Sequence, residues 1–339
     1  MTEPSPFFSV IIATRDRAEL FEAAIRSVAG QSFTDMEIVV VNDGSLPEAL
    51  PAYRQTLEVL RSELGTDRVQ DHLLIRRPKG HGQSYSLNVG VERARGRYVC
   101  FLDDDDVWVD PEHLVRAAAS ILSRQDAAGE AVDLYTSNQE AFRGPERHPG
   151  PIWLQSLGSI LQAKGRQPGQ DGVYTVSVEE LLQVDGFCHL NCLVVRRDLW
   201  ARIGGMDEGI RWECDRDVVL RLMDVSSRIL HRPAITSRHH IPDPKQGTSM
   251  TTSLGELERR MWQVRVLDKL AVFCRRPDVR AHARLHKGYA YKRIALVLAA
   301  QSDWRSALPY ALQALACAPS FKWLAYVAYA AARAVPARR

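Results

Sequence analysis

Residues 98–106, YVCFLDDDD, decide the fold because an apolar strand ends there in four consecutive carboxylates. The run at 98–102 is continuously apolar, which is typical of strands covered on both faces of a parallel sheet. Two unit charges about 4 Å apart repel by roughly 1 kcal/mol even in water. The crowded carboxylates therefore predict that a cation lies at the end of this strand.

Three earlier apolar runs repeat the pattern of a buried strand, FFSVIIA at 7–13, MEIVVVN at 36–42 and HLLIR at 72–76. Helical periodicity separates them, in a stripe over 17–31 and again around 84–94. Strands that alternate with helices predict an α/β fold, a mostly parallel sheet flanked by helices. Ligands of such sheets bind beyond the carboxyl ends of the strands.

The acidic run suits a hard divalent cation. Mg²⁺ and Mn²⁺ take oxygen ligands and are commonly shared between one or two carboxylates and a substrate phosphate. Alternate residues project together, so Asp103 and Asp105 are the predicted ligands. Asp104 and Asp106 have an alternative interpretation, as solvated residues that serve the turn before the helix at Pro111.

Four motifs in order resemble family 2 glycosyltransferases of the GT-A fold. They are ATRDR at 13–17, NDGS at 42–45, LDDDD at 102–106, and GGMDE at 204–208 followed by the acids of RWECDRD at 211–217. The resemblance spans about residues 7–240. It implies a GT-A, Rossmann-like sheet and a metal-dependent, inverting transfer of a sugar from a nucleoside-diphosphate sugar, most readily UDP-linked. The acceptor would be a hydroxyl of a glycan or a lipid-linked saccharide.

The resemblance implies a donor site at the ends of the first strands. In the family's pattern Asp43 bonds the base edge, although a turn former is the alternative; Asp105 binds the metal directly and Asp106 lies near the sugar. The nucleotide-sugar-binding residues carried over are Ala13, Thr14, Arg15, Asp43, Arg77, Gly82, Ser84, Asp103, Asp104, Asp105 and Asp106.

Two residues of GHGQSYSLNVG depart from the family's pattern, since Gly80 replaces an Asn and Leu87 replaces an Arg. The positive charge that this Arg would bring to the diphosphate is absent. Arg76, Arg77 or Lys79 could supply it, or could be solvated residues at the strand end.

The segment RWECDRDVVLRL aligns so that Asp215 takes the place of the family's general base and Cys214 that of a Glu. An inverting transfer needs a carboxylate that removes the acceptor's proton as its oxygen attacks. Glu213 is the reserve candidate because the Cys makes the register uncertain. The alternative is a helix N-terminus whose acids offset the helix dipole.

The resemblance also implies a metal-binding histidine after the base helix. Spacing in RHHIPDP selects His240, with an exposed pair of loop histidines, His239 and His240, as the alternative. Trp212, Gly205 and Met206 are candidates for the acceptor side, although packing explains a Trp equally well. The segment HLNC at 189–192 is a further acceptor candidate.

The chain divides by pattern into a catalytic domain at 1–250, with a nucleotide-binding half (1–110) and an acceptor half (111–250), and a helical region at 251–339. A Gly/Pro-rich stretch at 144–173 predicts a long loop. Residues 303–320 resemble one helix–turn–helix unit of tetratricopeptide type, too few for a repeat domain.

Charge is distributed unevenly along the chain. Residues 255–339 carry 16 basic and 5 acidic side chains, whereas the net charge of the whole chain is +3. A basic amphipathic helix predicts contact with anionic lipid. Packing on the catalytic body and a homodimer contact are the alternatives. No groove-reading or base-stacking motif supports nucleic acid binding.

Six cysteines without a CxxC pair predict reduced thiols and a cytoplasmic protein. Lipid contact by the basic C-terminal helices would place it on the inner face of the cell membrane. The N-terminus lacks the features of a signal peptide. A nucleotidyltransferase and a catalytically impaired sugar- or nucleotide-binding scaffold are the competing functions. The first would carry a Gly-rich, Lys-containing loop after the first strand, which ATRDRAEL lacks.

Overall fold

The computed structural model describes residues 5–124, 131–149, 152–184, 186–242 and 254–335. The chain forms two compact units. The first comprises residues 1–208 and 225–241, and the second comprises residues 209–224 and 242–339. The functional division predicted at residue 250 stays a prediction, and that position lies outside the described residues.

The first unit contains all ten strands that the structure assigns within the described residues. With helices and strands numbered in chain order, its elements are β1 (Phe8–Thr14), α1 (Ala18–Ala29), β2 (Met36–Asn42), α2 (Leu50–Leu64), β3 (Val69–Leu73), α3 (Gln83–Arg93), β4 (Tyr98–Phe101), β5 (Val107–Trp108), α4 (His113–Ser123), β6 (Leu134–Arg143), β7 (Glu146–Arg147), α5 (Leu157–Ala163), β8 (Tyr174–Val176), α6 (Val178–Leu181), β9 (Leu193–Arg196), α7 (Arg197–Arg202) and β10 (Ile229–His240).

The strands form one sheet in the order β3-β2-β1-β4-β9-β6-β10-β5, with β7 beside β6 and β8 beside β10. Neighbours among the first four strands are parallel. β9 runs antiparallel to both β4 and β6, and β6 is again parallel to β10. The predicted α/β fold is confirmed, and its parallel part holds the ends of β1, β2 and β4 at one edge.

β1 is mostly apolar and almost completely buried because both of its faces are covered. Phe8, Val10 and Ile12 belong to the core cluster that contains Phe21 of α1. On the other face Ile11 lies so close to Gly90 of α3 that a Cβ there would approach its methyl group to 2.3 Å. A strand with helices on both sides has no position at which a polar side chain reaches water.

The predicted bounds of two segments were wrong. β3 begins at Val69, which pairs with Ile38 of β2, and ends at Leu73; Ile75, placed in the strand by its apolarity, is 84% exposed. The stretch at 144–173 contains α5, because Leu157 and Leu161 are buried at helical spacing within a Gly/Pro-rich sequence.

The second unit is helical, as predicted for 255–335. Its helices are α8 (Cys214–Val225, of which all but the last residue belongs here), α9 (Glu256–Phe273), α10 (Pro277–Ala300), α11 (Trp304–Cys317) and α12 (Phe321–Ala334). The stretch at 303–320 holds one helix rather than a helix–turn–helix unit. Among the described residues no helix combines the length and apolarity that crossing a bilayer requires.

α8 joins this unit through charged side chains. Asp217 of α8 is fully buried and accepts from Arg221 at 2.6 Å, while Lys269 of α9 lies 2.8 Å from its other oxygen. Asp224 accepts the backbone N–H groups of Arg275 and Arg276 at 2.7–2.9 Å. A carboxylate buried with two cations is costly to separate from them. The chain therefore places the helix that carries Asp215 with the C-terminal helices.

A buried histidine makes the stability of the first unit depend on pH. Burial lowers the pKa of His231 in β10 to about 4, below the value of about 6.5 in an unfolded chain. Between these two values the unfolded state binds more protons, so this residue lowers the free energy of unfolding as pH falls from 6.5 to 4. We expect His231→Gln to reduce the pH slope of that free energy by about 1.4 kcal/mol per unit in this window.

Urea unfolding at a series of pH values measures the slope. The matched control is His148→Gln at an exposed position, which should keep the wild-type slope. An unchanged slope in the His231 variant would contradict the account.

Candidate active site

The four acids that follow β4 differ sharply in exposure. Asp104 is 1% exposed and Asp106 is 0% exposed, whereas Asp103 and Asp105 are partly exposed. The interpretation of Asp104 and Asp106 as solvated loop residues is therefore wrong. Each needs a partner inside the protein, since an uncompensated buried charge is strongly unfavourable.

Asp103, Asp105 and Asp106 form the acid cluster of this site. One carboxylate oxygen from each lies within 4.8 Å of the others. Three oxygen ligands this close together fit a hard divalent cation, so the donor set suits Mg²⁺ or Mn²⁺. Asp103 Oδ1 also accepts from Gln83 Nε2 at 2.9 Å, at the start of α3.

Asp106 is held from distant parts of the chain. Its Oδ2 accepts from Asn191 Nδ2 at 2.5 Å and from His239 at 2.8 Å, and its Oδ1 accepts the backbone N–H of His240 at 2.7 Å. Burial alone would raise the pKa of Asp106, but its contacts with His239 and with the backbone N–H of His240 lower it. Asp106 therefore stays ionised in a fixed orientation beside the other two acids.

The segment at 189–192 contacts the acids in this structure. Asn191 Oδ1 accepts the backbone N–H of Asp103 at 2.9 Å, while its amide group donates to Asp106. His189 Nε2 lies 3.8 Å from Asp103 Oδ2, and burial lowers the pKa of His189 to about 3, so its ring is neutral. No sequence pattern predicts this contact, because it joins residues about ninety positions apart.

His239 and His240 lie at the end of β10, beside the acid cluster. His240 Nδ1 lies 2.7 Å from the carbonyl oxygen of Asp105, and its side chain is 46% exposed. Because a carbonyl only accepts, Nδ1 donates in this contact, and in a neutral ring the lone pair is then on Nε2. That tautomer is the one a metal ligand requires, and His240 as a ligand stays a prediction.

Arg17 is the cation paired with two of the four acids in this structure. Its guanidinium forms ion pairs with Asp104 and with Asp105, the latter at 2.7 Å. Burial raises the pKa of Asp104 to about 7 although Arg17 lowers it, and burial also raises the pKa of Asp105. Arg17 belongs to the ATRDR motif but was not among the predicted site residues. The crowded acids were the signal that a countercharge lies nearby.

Asp43 and Arg15 both bind the loop at 77–82, which precedes α3, and together these contacts form a clasp. The Asp43 carboxylate accepts the backbone N–H of His81 at 2.9 Å and of Gly82 at 3.0 Å, and lies 2.6 Å from His81 Nδ1. Arg15 continues this contact by donating to the carbonyl oxygen of Arg77 at 2.8 Å. The ends of β1 and β2 and the loop at 77–82 are thereby held together.

The remaining donor-site candidates lie around this clasp. Thr14 is buried with its hydroxyl 2.9 Å from that of Tyr53, Ala13 is half-buried at the end of β1, and Ser84 is buried in the first turn of α3. The side chain of Arg77 is exposed. Whether they bind a nucleotide sugar stays a prediction.

The two departures from the family's pattern have different local consequences. Leu87 is 2% exposed on α3, so its side chain is part of the core. Arg76 donates to the carbonyl oxygen of Gly44 at 2.7 Å. Arg77 and Lys79 remain exposed and are the candidates to meet an anionic diphosphate.

Gly80 is required by this clasp. It has φ +68°, and a Cβ there would lie 2.2 Å from Arg15 Nη1 and 2.5 Å from Asp43 Oδ2. Gly204 has φ +73° with no atom within 4 Å of its added Cβ. We expect both Ala variants to lose about 1 kcal/mol of stability from the left-handed backbone, but only Gly80→Ala to weaken nucleotide binding.

Calorimetric titration with UDP, beside thermal melting, separates the two effects. Equal UDP affinity in the Gly80→Ala and Gly204→Ala variants would mean that the clasp has no part in binding a nucleotide.

The acceptor candidates of the first unit are held by hydrogen bonds from the side chain of Asn88. Asn88 of α3 accepts the backbone N–H of Met206 at 2.8 Å and donates to its carbonyl at 3.0 Å. The side chain of Met206 is 3% exposed, and Gly205 lies against Asn88 with φ +67°. Their part in binding an acceptor stays a prediction.

The second unit carries the proposed base. Asp215 lies in the first turn of α8 and Glu213 immediately precedes the helix with φ 65°. Glu213 forms an ion pair with Arg216. The ring of Trp212 lies 5.9 Å from the guanidinium carbon of Arg259. Asp215 is half-buried, and its role stays a prediction.

Solved structures share this fold. S. aureus TarS, crystallised as residues 1–349 with UDP-GlcNAc, superposes with a TM-score of 0.65 at 17% identity, over 96% of this chain and 88% of that one. The mannosyltransferase PcManGT of Pyrobaculum calidifontis, solved with GDP-Man and Mn²⁺, gives 0.58 at 18% identity, over 97% and 81%. The chain has the GT-A fold of these solved structures.

Sequence comparison then gives the family. The model of Glycosyl transferase family 2 matches residues 9–177. An uncharacterized glycosyltransferase of Nostoc is 28% identical over 159 residues, 46% of each chain. A PGL/p-HBAD biosynthesis glycosyltransferase of Mycobacterium tuberculosis is 33% identical over 117 residues, 34% of this chain and 42% of that protein. The chain belongs to glycosyl transferase family 2, and its match spans less than half the length of these two relatives.

Proposed function

We propose that the protein is a metal-dependent, inverting glycosyltransferase that uses a nucleoside-diphosphate sugar, with UDP as the nucleotide. The observation that carries the proposal is the cluster of Asp103, Asp105 and Asp106 at the carboxyl edge of a parallel sheet. Family membership supports the reaction class. Of the structural neighbours, TarS was solved with UDP-GlcNAc, and PcManGT was solved with GDP-Man and Mn²⁺.

The metal would be Mn²⁺ or Mg²⁺, held by Asp103 and Asp105, with His240 as a third ligand. When bound, such an ion supplies Lewis-acid stabilisation of the charge on a departing diphosphate. Asp106 keeps its neighbours in position, because its own oxygens are occupied by Asn191, His239 and the backbone of His240.

The donor nucleotide would bind along the strand ends. Ala13, Thr14 and Arg15 would contact the base, with Asp43 fixing the loop that carries Gly82 and Ser84. The exposed Arg77 would contribute positive charge toward the diphosphate. It would replace the charge of the family's arginine, whose position Leu87 occupies. Backbone N–H groups in the first turn of α3 favour an anion at the same place.

Asp215 would remove the proton from the acceptor hydroxyl. Its competitor Glu213 would first have to leave its ion pair with Arg216, and a paired carboxylate is a poorer proton acceptor. Trp212, Gly205 and Met206 would shape the acceptor side. The acceptor would be a glycan hydroxyl or a lipid-linked saccharide.

The helical unit would reach a membrane surface from the cytoplasmic side. Phe273 at the end of α9 is 78% exposed and Phe321 at the start of α12 is 93% exposed, beside Arg275 and Lys322. Apolar side chains flanked by cations suit anionic lipid. Sedimentation with phosphatidylglycerol vesicles tests this contact. The wild type should sediment with the vesicles, and a Phe273→Ser/Phe321→Ser variant should stay in solution. Equal sedimentation of the two proteins would contradict the proposal, as would a wild-type dimer that dissociates in the variant.

Hydrolysis and transfer assays with a panel of nucleotide sugars test the function. We expect release of a nucleoside diphosphate from a UDP-sugar in Mn²⁺ and none in EDTA. UDP binding without turnover of any sugar would favour the impaired scaffold that Leu87 and Cys214 suggest. Pyrophosphate release from a nucleoside triphosphate and a sugar phosphate would favour a nucleotidyltransferase.

A further inference from the structure

Arg17 divides the four acids into two kinds. The guanidinium pairs through Nη2 with Asp104 Oδ1, on a side chain that is 1% exposed, and through Nη1 with Asp105 Oδ2 at 2.7 Å, on a side chain that is 23% exposed. Asp104 does not belong to the acid cluster, whereas Asp105 does. One cation is therefore shared between a carboxylate outside that cluster and one of the predicted metal ligands.

The backbone holds Arg17 in this position. Its N–H donates to the hydroxyl of Tyr53 at 2.9 Å, and its carbonyl accepts from Phe21 at 3.0 Å in the first turn of α1. The Tyr53 hydroxyl also lies 2.9 Å from that of Thr14. The side chain thus reaches the acids from a fixed base, and Asp104 keeps it there because a buried carboxylate is costly to leave unpaired.

We propose that Arg17 is a built-in competitor of the metal, a positioning residue that occupies Asp105 when no metal is bound and yields Asp105 to the ion while keeping Asp104. The proposal rests on the metal dependence of the proposed function. It follows from charge: an ion held by Asp103 and Asp105 lies beside the Asp105 carboxylate that Arg17 now contacts, and two cations beside one carboxylate repel. Metal affinity in the absence of nucleotide is lowered by the cost of displacing the guanidinium from Asp105.

The test compares variants that conserve net charge, so that a change in cation affinity reflects competition. Arg17→Met/Asp104→Asn removes one positive and one negative charge and leaves side chains of similar size. We expect it to bind Mn²⁺ more tightly than wild type by roughly 5- to 150-fold, the range typical of couplings within one protein. Free Mn²⁺ measured by electron paramagnetic resonance, without nucleotide, gives the affinity directly.

A second variant covers the case in which the double variant does not fold. Arg17→Lys keeps the charge, but a point-like ammonium cannot fork between two carboxylates as a guanidinium does. It should stay with the buried Asp104 and also tighten Mn²⁺ binding. Thermal melting establishes that each variant is folded.

The matched control is an Arg–carboxylate pair with a buried carboxylate at the other end of the parallel strands. Arg95 Nε lies 2.8 Å from Glu37 Oε2, and Glu37 is 1% exposed near the start of β2. Arg95→Met/Glu37→Gln should leave Mn²⁺ affinity unchanged.

The outcomes separate this proposal from the proposed function. Mn²⁺ binding that is equal or weaker in the folded Arg17 variants overturns the role of Arg17, while metal-dependent UDP binding by wild type still supports the function. If wild type binds no Mn²⁺ even with UDP present, both proposals fail.

Discussion

Replacing Asp215 with asparagine is expected to lower turnover by roughly 10²- to 10⁴-fold, the usual contribution of a positioned general base. The amide has nearly the same shape but cannot take up the acceptor's proton. Donor binding does not need that proton transfer, so the affinity for UDP in Mn²⁺ should stay at the wild-type value. Steady-state turnover and calorimetry on the same preparation measure the two quantities.

Glu213→Gln is the matched control, two residues away with the same chemical change. Its carboxylate is paired with Arg216, so this variant should lose some stability and little turnover. The reverse result, with ordinary turnover in Asp215→Asn and a collapse in Glu213→Gln, would move the base to Glu213.

The second large effect is expected at Asp105. Asp105→Asn removes one of the predicted metal ligands, and Lewis-acid stabilisation is worth several kcal/mol. At about 1.4 kcal/mol per tenfold this corresponds to a loss of turnover of roughly 10²- to 10³-fold. UDP affinity in Mn²⁺ should fall to the value that wild type shows in EDTA.

Asp35→Asn is the control for lost charge, since Asp35 is exposed in the loop before β2. It should keep both turnover and metal-dependent UDP binding. If Asp105→Asn bound UDP as tightly as wild type and with the same response to Mn²⁺, a metal held by Asp105 would play no part in nucleotide binding.

The strands of the parallel sheet could be predicted because their signal is local. β1, β2 and β4 are covered on both faces, so each is a mostly apolar run, and the acids that follow β4 stand out against it. The bounds of β3 were predicted wrongly because its residues alternate between more and less exposed positions, so β3 is not an apolar run. Ile75 is apolar but exposed, and its apolarity alone placed it in the predicted strand.

The partners of the acids could not be predicted because they are distant in sequence. Arg17 lies 88 positions from Asp105, and His239 lies 133 positions from Asp106. Neither contact produces a characteristic residue spacing or periodicity in the sequence. Each forms only because the folded sheet brings distant loops together. The same holds for α8, whose buried Asp217 joins it to the C-terminal helices through Lys269.

Anomalous diffraction at the manganese edge, from crystals grown with UDP and Mn²⁺, tests most directly whether a divalent ion joins the carboxylates after β4 to a diphosphate. The account predicts one strong peak within bonding distance of an Asp105 oxygen and of a diphosphate oxygen, with Arg17 withdrawn to Asp104. Bound UDP with no peak at that place, and Arg17 still paired with Asp105, would contradict it.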